Sequence, residues 1–275
     1  MKSFNKRLQE IQQQRNSLVC VGLDADPEKF PGSVRVLEHA VIEFNKRIIE
    51  ATHDLVCAYK PNLAFYEALG ERGMFALHET LKLIPDSVIT IGDAKRGDIG
   101  NTAERYAVSL FEDFGFDAVT VNPYMGSDSV EPFLKRPEKG IFLLALTSNP
   151  GSNDFQRLKI GTMPLYEKIV RKAKQWNTAD NIGLVVGATH PKELQRVRKI
   201  VPDMPILLPG IGKQGGDLKS VVRYGSSKNG YGAVINASRS ILYASSGDDF
   251  AEAARAETLR LRDEINGLRT VNGKL

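Results

Sequence analysis

The chain has 275 residues, and its 37 Lys and Arg against 33 Asp and Glu leave a formal charge of +4 with 42% of residues hydrophobic. Basic and acidic side chains are intermingled, which excludes a dense cationic stripe for nucleic acid and favours small anionic ligands. The polar opening MKSFNKRLQEIQQQRN lacks a secretory signal's apolar core, and no apolar run nears the roughly 20 residues of a membrane span, so a cytoplasmic protein without membrane partners is expected.

Eight short apolar runs follow in order: Leu18–Leu23, Leu55–Tyr59, Val88–Ile91, Ala118–Val121, Ile141–Leu146, Ile182–Val186, Ile206–Leu208 and Ala233–Ile235. Between them lie segments with helical spacing, such as Val36, Ala40, Val41, Phe44 and Ile48 after the first run and Leu194, Val197 and Ile200 after the sixth. Repeated strand–helix units imply parallel strands buried on both faces. Eight such units, none with a polar edge strand, favour a closed (β/α)8 TIM barrel over an open sheet, as one domain over 1–275.

Pro164 and Pro191 mark helix starts, Ser129 with Pro132 opens a short segment after the fourth strand, and Asp248–Leu268 supplies the closing helix. Cys20 and Cys57 lie within apolar runs and read as buried thiols, too few for a disulfide framework or a structural zinc site. The four histidines, His39, His53, His78 and His190, read as structural or surface residues, and the Asn122–Gly126 turn stays without a role. Two Gly/Ser/Asn-rich loops, Asn149–Met163 and Gly210–Asp217, fall on the face where strands end and are lid candidates.

The third run leads into Asp93-Ala-Lys95-Arg-Gly-Asp98-Ile99-Gly-Asn-Thr102. Side chains alternate along a strand, so Asp93 and Lys95 are expected to point the same way, into the barrel mouth. Asp24 ends the first strand and Lys60 the second, so an alternating set of Lys60, Asp93, Lys95 and Asp98 can hold its members ionised. Rim salt bridges and a Mg2+ site remain alternatives, although interleaved lysines compete with a cation for the carboxylate oxygens. A lysine beside a reacting carbon suits proton delivery to a carbanion. After strands seven and eight come Gly210-Ile-Gly-Lys-Gln214 and Ser238-Arg239-Ser240, the usual place for a phosphate site in such barrels, though a tight turn gives the same glycines.

Together with Gly22-Leu23-Asp24, Tyr59-Lys60-Pro61-Asn62 and Leu146-Thr-Ser148-Asn-Pro-Gly151, these segments resemble the orotidine 5′-phosphate decarboxylase family, in its long-form (type 2) subgroup, over nearly the whole chain. The resemblance implies cofactor-independent, metal-free loss of CO2 from orotidine 5′-phosphate to give UMP, the last step of pyrimidine nucleotide synthesis. It implies Lys95 as proton donor and Asp93 and Lys60 as flanking the reacting carboxylate, with Asp98, Ile99 and Thr102 reaching across a homodimer. Asp24 is assigned to the ribose, Ser148 to the pyrimidine edge, and Gly210, Gln214, Ser238 and Arg239 to the phosphate. Rival readings are a Mg-dependent sugar-phosphate decarboxylase of a related barrel family and a non-catalytic nucleotide-binding barrel.

Overall fold

Each apolar run becomes one strand of a closed barrel in the computed structural model, which describes residues 2–211 and 217–269. The strands are β1 (Val19–Gly22), β2 (Ala58–Lys60), β3 (Ile89–Arg96), β4 (Ala118–Val121) and β5 (Gly140–Leu146). They continue as β6 (Ile182–Val186), β7 (Ile206–Pro209) and β8 (Ala233–Ala237). Each pairs in parallel with the next, and β1 closes the ring against β8 in the register Val19↔Ile235, Cys20↔Asn236.

The strands alternate between two cores. Cys20, Ala58, Ile91, Ala118, Phe142 and Val234 fill the barrel interior, while Val19, Val21, Val119 and Val121 face the surrounding helices. That arrangement buries both faces of every strand, which is why the sequence shows continuous apolar runs rather than alternation. Burial pushes the Cys57 thiol up to about 12, and both cysteines are free and buried. Pro191 begins helix Pro191–Ile200 and Pro164 caps helix Leu165–Trp176. The helix after β4 starts at Ser127, ahead of the expected Ser129, so Pro132 lies within it. Helix Phe250–Leu268 packs against helix Ala40–Thr52 and completes the outer ring. Among the described residues, no helix is long and apolar enough to cross a membrane.

An element not foreseen closes the floor. Helix α1 (Phe4–Arg15) is capped by Ser3, whose hydroxyl accepts from the Lys6 N–H, and ends at Asn16 in the left-handed conformation. Phe4, Leu8 and Ile11 join the interior core. The Phe4 ring meets Phe142 edge-on at 6.0 Å, and a Cβ at Gly140 would stand 2.4 Å from that ring, so only glycine leaves it room. Gln12 is fully buried, donates to the Ala233 carbonyl at 2.7 Å and accepts from the Gly232 N–H at 2.9 Å. Its amide thereby serves backbone groups at the start of β8 that would otherwise be buried unpaired.

Because Phe4 is fully buried at the floor, Phe4→Ala is expected to lower unfolding free energy by about 3–5 kcal/mol, read from denaturant midpoints at unchanged m-value.

Candidate active site

The carboxyl ends of β1, β2, β3, β7 and β8 surround a cavity of about 150 Å3 lined by Asp24, Lys60, Asp93, Gly210, Ser238 and Arg239, among others. A larger groove of about 1010 Å3 runs past Lys199, Lys219 and Arg223, but it lies among the outer helices, away from the strand ends. The smaller cavity occupies the position at which barrel enzymes assemble their chemistry.

At its base, Asp93 sits between two ammonium groups. Lys60 Nζ donates to Asp93 Oδ2 at 2.7 Å, and Lys95 Nζ donates to Oδ1 at 2.6 Å. The Lys60 side chain is 4% exposed and that of Asp93 12%, against 49% for Lys95, so the outer ammonium alone faces open space. Burial opposes the charge on both inner groups, yet their mutual attraction prevails. The carboxyl of Asp93 is held well below the usual carboxylate range by Lys60 and Lys95, and the ammonium of Lys60 is held above its ordinary value by Asp93 and Asp24. Asp93 and Lys60 stay ionised at neutral pH in consequence of this pairing.

Asp93 and Lys95 meet by a different route from simple alternation. The β3–β4 register shifts between Gly92 and Arg96, and Lys95 adopts φ +47°. This bulge turns the lysine so that its side chain returns to the carboxylate two residues earlier. Thr120 on β4, absent from the sequence reading, accepts from the Lys95 N–H at 2.9 Å and donates to Asp93 Oδ1 at 3.0 Å. A lone hydroxyl in a Val-rich strand reads as β-propensity, and only the fold brings it to the pair.

Asp98 does not join this array. Its carboxylate accepts from the Ile99 N–H at 2.8 Å, and among the described residues it forms no ion pair with either lysine. It lies beyond the strand, in the turn before helix Gly100–Val108, where Ile99 and Thr102 are exposed and outside the cavity lining.

Beside Lys60, Asp24 follows β1 in a loop tied down by Tyr243, whose hydroxyl donates to the Asp24 carbonyl at 3.0 Å and accepts from the Asp26 N–H at 2.9 Å. Asp24 Oδ1 and Ser238 Oγ are buried without a hydrogen-bond partner among the described residues. Two such oxygens lining one cavity suit a ligand rich in hydroxyl or phosphate groups. Gly210 turns the chain after β7 with φ +103°, a conformation suited to glycine, and Arg239 stands exposed at the start of the short helix Arg239–Leu242. Asn236 lines the cavity and accepts from the Cys20 thiol at 3.5 Å. Gln214 and Lys213 lie outside the described residues.

Ser148 follows β5 and is half-buried at the base of the long loop, outside the cavity lining. That loop carries a helical turn, Ser152–Phe155, and a small antiparallel pair, Lys159–Ile160 with Met163–Pro164. His190 joins it to the end of β6, with Nε2 3.0 Å from the Thr147 carbonyl and Nδ1 3.1 Å from the Arg157 guanidinium. The metal-ligand geometry needed by the rival Mg2+ reading is not assembled: both Asp93 oxygens are engaged by ammonium groups, and no cluster of three His, Cys, Asp or Glu exists among the described residues.

Comparison with known proteins agrees with this layout. A family model described as orotidine 5′-phosphate decarboxylase / HUMPS family matches residues 17–256. The chain is 51% identical over 268 residues to the orotidine 5′-phosphate decarboxylase of Azoarcus sp. strain BH72, covering 97% of this chain and 99% of that relative. It is equally 51% identical over 270 residues to one from Dehalococcoides mccartyi, covering 97% and 98% respectively. The solved structure of Leishmania donovani OMP decarboxylase matches with a TM-score of 0.85 at 42% identity, over 97% of this chain and 99% of that one. With charged strand ends in place and relatives of that similarity along nearly its whole length, the chain belongs to the orotidine 5′-phosphate decarboxylase / HUMPS family.

Proposed function

We propose that this chain, as one barrel domain over 1–275 and in the cytoplasm, converts orotidine 5′-phosphate to UMP and CO2 without a cofactor, with Lys95 as the proton donor. The overall reaction, the last step of pyrimidine nucleotide synthesis, follows from family membership and from relatives that carry this activity in their names. The observation that carries the residue roles is the Lys60–Asp93–Lys95 line, whose Lys60 and Asp93 line the strand-end cavity and whose Lys95 extends it outward.

Decarboxylation breaks the C6–carboxylate bond, releases CO2 and leaves the electron pair on C6. That sp2 carbanion has little resonance help, so the barrier reduction must lie near the top of the usual range of about 8–23 kcal/mol. A fixed ammonium at C6 stabilises the developing charge before it transfers a proton, and the resulting amine regains its proton from solvent. Asp93 aims Lys95 through the 2.6 Å contact, while Lys60 keeps Asp93 ionised from below. Binding energy is gathered away from C6: Asp24 takes the ribose hydroxyls, Ser148 the pyrimidine edge, and Gly210, Gln214, Ser238 and Arg239 the phosphate. Such remote contacts can be used to assemble the charged site around the substrate.

The same reading makes the protein a homodimer with shared sites. Among the described residues Asp98 has no cationic partner, and Ile99 beside it is 56% exposed, with Met125 (52%) and Tyr124 (80%) also exposed on the neighbouring turn after β4. Exposed apolar groups at one edge of the barrel mouth are suited to a second copy, which would bring Asp98, Ile99 and Thr102 to the other copy's substrate.

Metal-stripped protein is expected to turn over orotidine 5′-phosphate in the presence of EDTA, followed by pyrimidine ultraviolet absorbance; loss on chelation with recovery on Mg2+ would return the rival metal-dependent reading. Lys95→Ala should lose kcat by orders of magnitude while still binding UMP, and near-normal kcat would remove Lys95 as the donor. Arg239→Ala should mainly raise KM, and an unchanged KM would count against the phosphate assignment. Mixing inactive Asp98→Asn and Lys60→Ala chains should restore one working site per heterodimer, whereas silence in verified heterodimers would mean each site is built from one chain.

A further inference from the structure

We propose that Thr120 is a positioning residue for the proton transfer: its hydroxyl fixes the backbone of Lys95 and the carboxylate of Asp93 together, and so sets where the Lys95 ammonium stands. The inference rests on the reading of Lys95 as donor.

Thr120 is 1% exposed and shares the inward-facing side of β4 with Ala118. Three heavy-atom contacts form a closed circuit through it, and a fourth anchors that circuit to Lys60. The Lys95 N–H donates to Thr120 Oγ1 at 2.9 Å, and Thr120 Oγ1 donates to Asp93 Oδ1 at 3.0 Å. The Lys95 ammonium donates to that same Oδ1 at 2.6 Å, and Asp93 Oδ2 is held by Lys60 at 2.7 Å. One hydroxyl therefore acts as acceptor for the lysine main chain and donor to the anion that aims the lysine side chain.

The circuit matters because Lys95 occupies a costly conformation. At φ +47° a residue with a Cβ is disfavoured by roughly 1–2 kcal/mol, and such a conformation persists only where its surroundings over-determine it. The β3–β4 ladder cannot supply that constraint here, since its register is broken between Gly92 and Arg96. The Thr120 hydroxyl replaces the missing ladder bond. Removing it leaves the Lys95 N–H without its acceptor and allows the peptide to relax toward an ordinary extended strand, which swings Nζ from its contact with Oδ1. Proton transfer is sensitive to displacements of this kind, because a mispositioning of about 1 Å can cost about a hundredfold in rate.

The experiment compares Thr120→Val, which keeps the shape and removes the hydroxyl, with Thr120→Ser, which keeps the hydroxyl and removes the methyl. Thr120→Val should lower kcat by about tenfold to a hundredfold, the factor that corresponds to one hydrogen bond to a charged group, with KM within about threefold. Thr120→Ser should retain kcat within about threefold of the parent. If Thr120→Val keeps kcat, or if Thr120→Ser falls as far as Thr120→Val, the hydroxyl does not position Lys95 and the inference is wrong. Should Thr120→Val fail to fold, Thr120→Ala set against Thr120→Ser decides the same question. Lys95→Ala run alongside separates the two levels: turnover surviving that change overturns the donor reading, whereas its loss beside a fully active Thr120→Val overturns only the role of Thr120.

Discussion

A carboxylate shared between two ammonium groups is the constraint on which the site depends. Asp93 can remain charged in a nearly dry position only because Lys60 neutralises it from the barrel side and Lys95 from the mouth. Each member is costly to bury alone, and together they form a row whose inner end is fixed and whose outer end is half-exposed. The barrel supplies what such a row needs: neighbouring strands, with Lys60 from β2, Asp93 and Lys95 from the bulged end of β3, and Thr120 from β4. The packed interior beneath it, with α1 sealing the floor, keeps water from entering from below.

The fold was largely legible in the sequence because parallel strands buried on both faces write themselves as unbroken apolar runs. All eight runs became barrel strands, although β2 is displaced to Ala58–Lys60 from the expected Leu55–Tyr59 and β3 runs on to Arg96. Helix α1 was missed for an intelligible reason. Only Phe4, Leu8 and Ile11 carry its buried face, amid lysines, arginines and glutamines, and a segment so polar reads as exposed until the barrel floor it covers is known. Its markers, the i, i+4, i+7 spacing with Ser3 and Asn16 at the two ends, were nonetheless present.

The site was legible in its residues and less so in its geometry. Lys60, Asp93 and Lys95 converge as strand ends should, yet the period-two argument that joined Asp93 to Lys95 assumed a regular strand, and the contact is made through a bulge with Lys95 in the left-handed region. Asp98 shows the limit of spacing in the other direction. It follows the same motif three residues after Lys95 but sits past the end of β3 and stays out of the ion-paired row. Thr120 could be found only after pairing placed β4 beside β3.

The glutamine in α1 also has a bearing on how the chain comes to be folded. Gln12 is synthesised well before the backbone groups that its amide satisfies, at Gly232 and Ala233, which lie some 220 positions later. The amphipathic opening segment must therefore wait through most of translation before it can dock, and the ring of strands cannot seal until the last of them arrives. Long-range closure of this kind slows folding and prolongs the lifetime of half-built, sticky species. The predominantly charged and amide-bearing composition of that segment is well matched to such a wait, since it keeps the undocked segment hydrated until its berth exists.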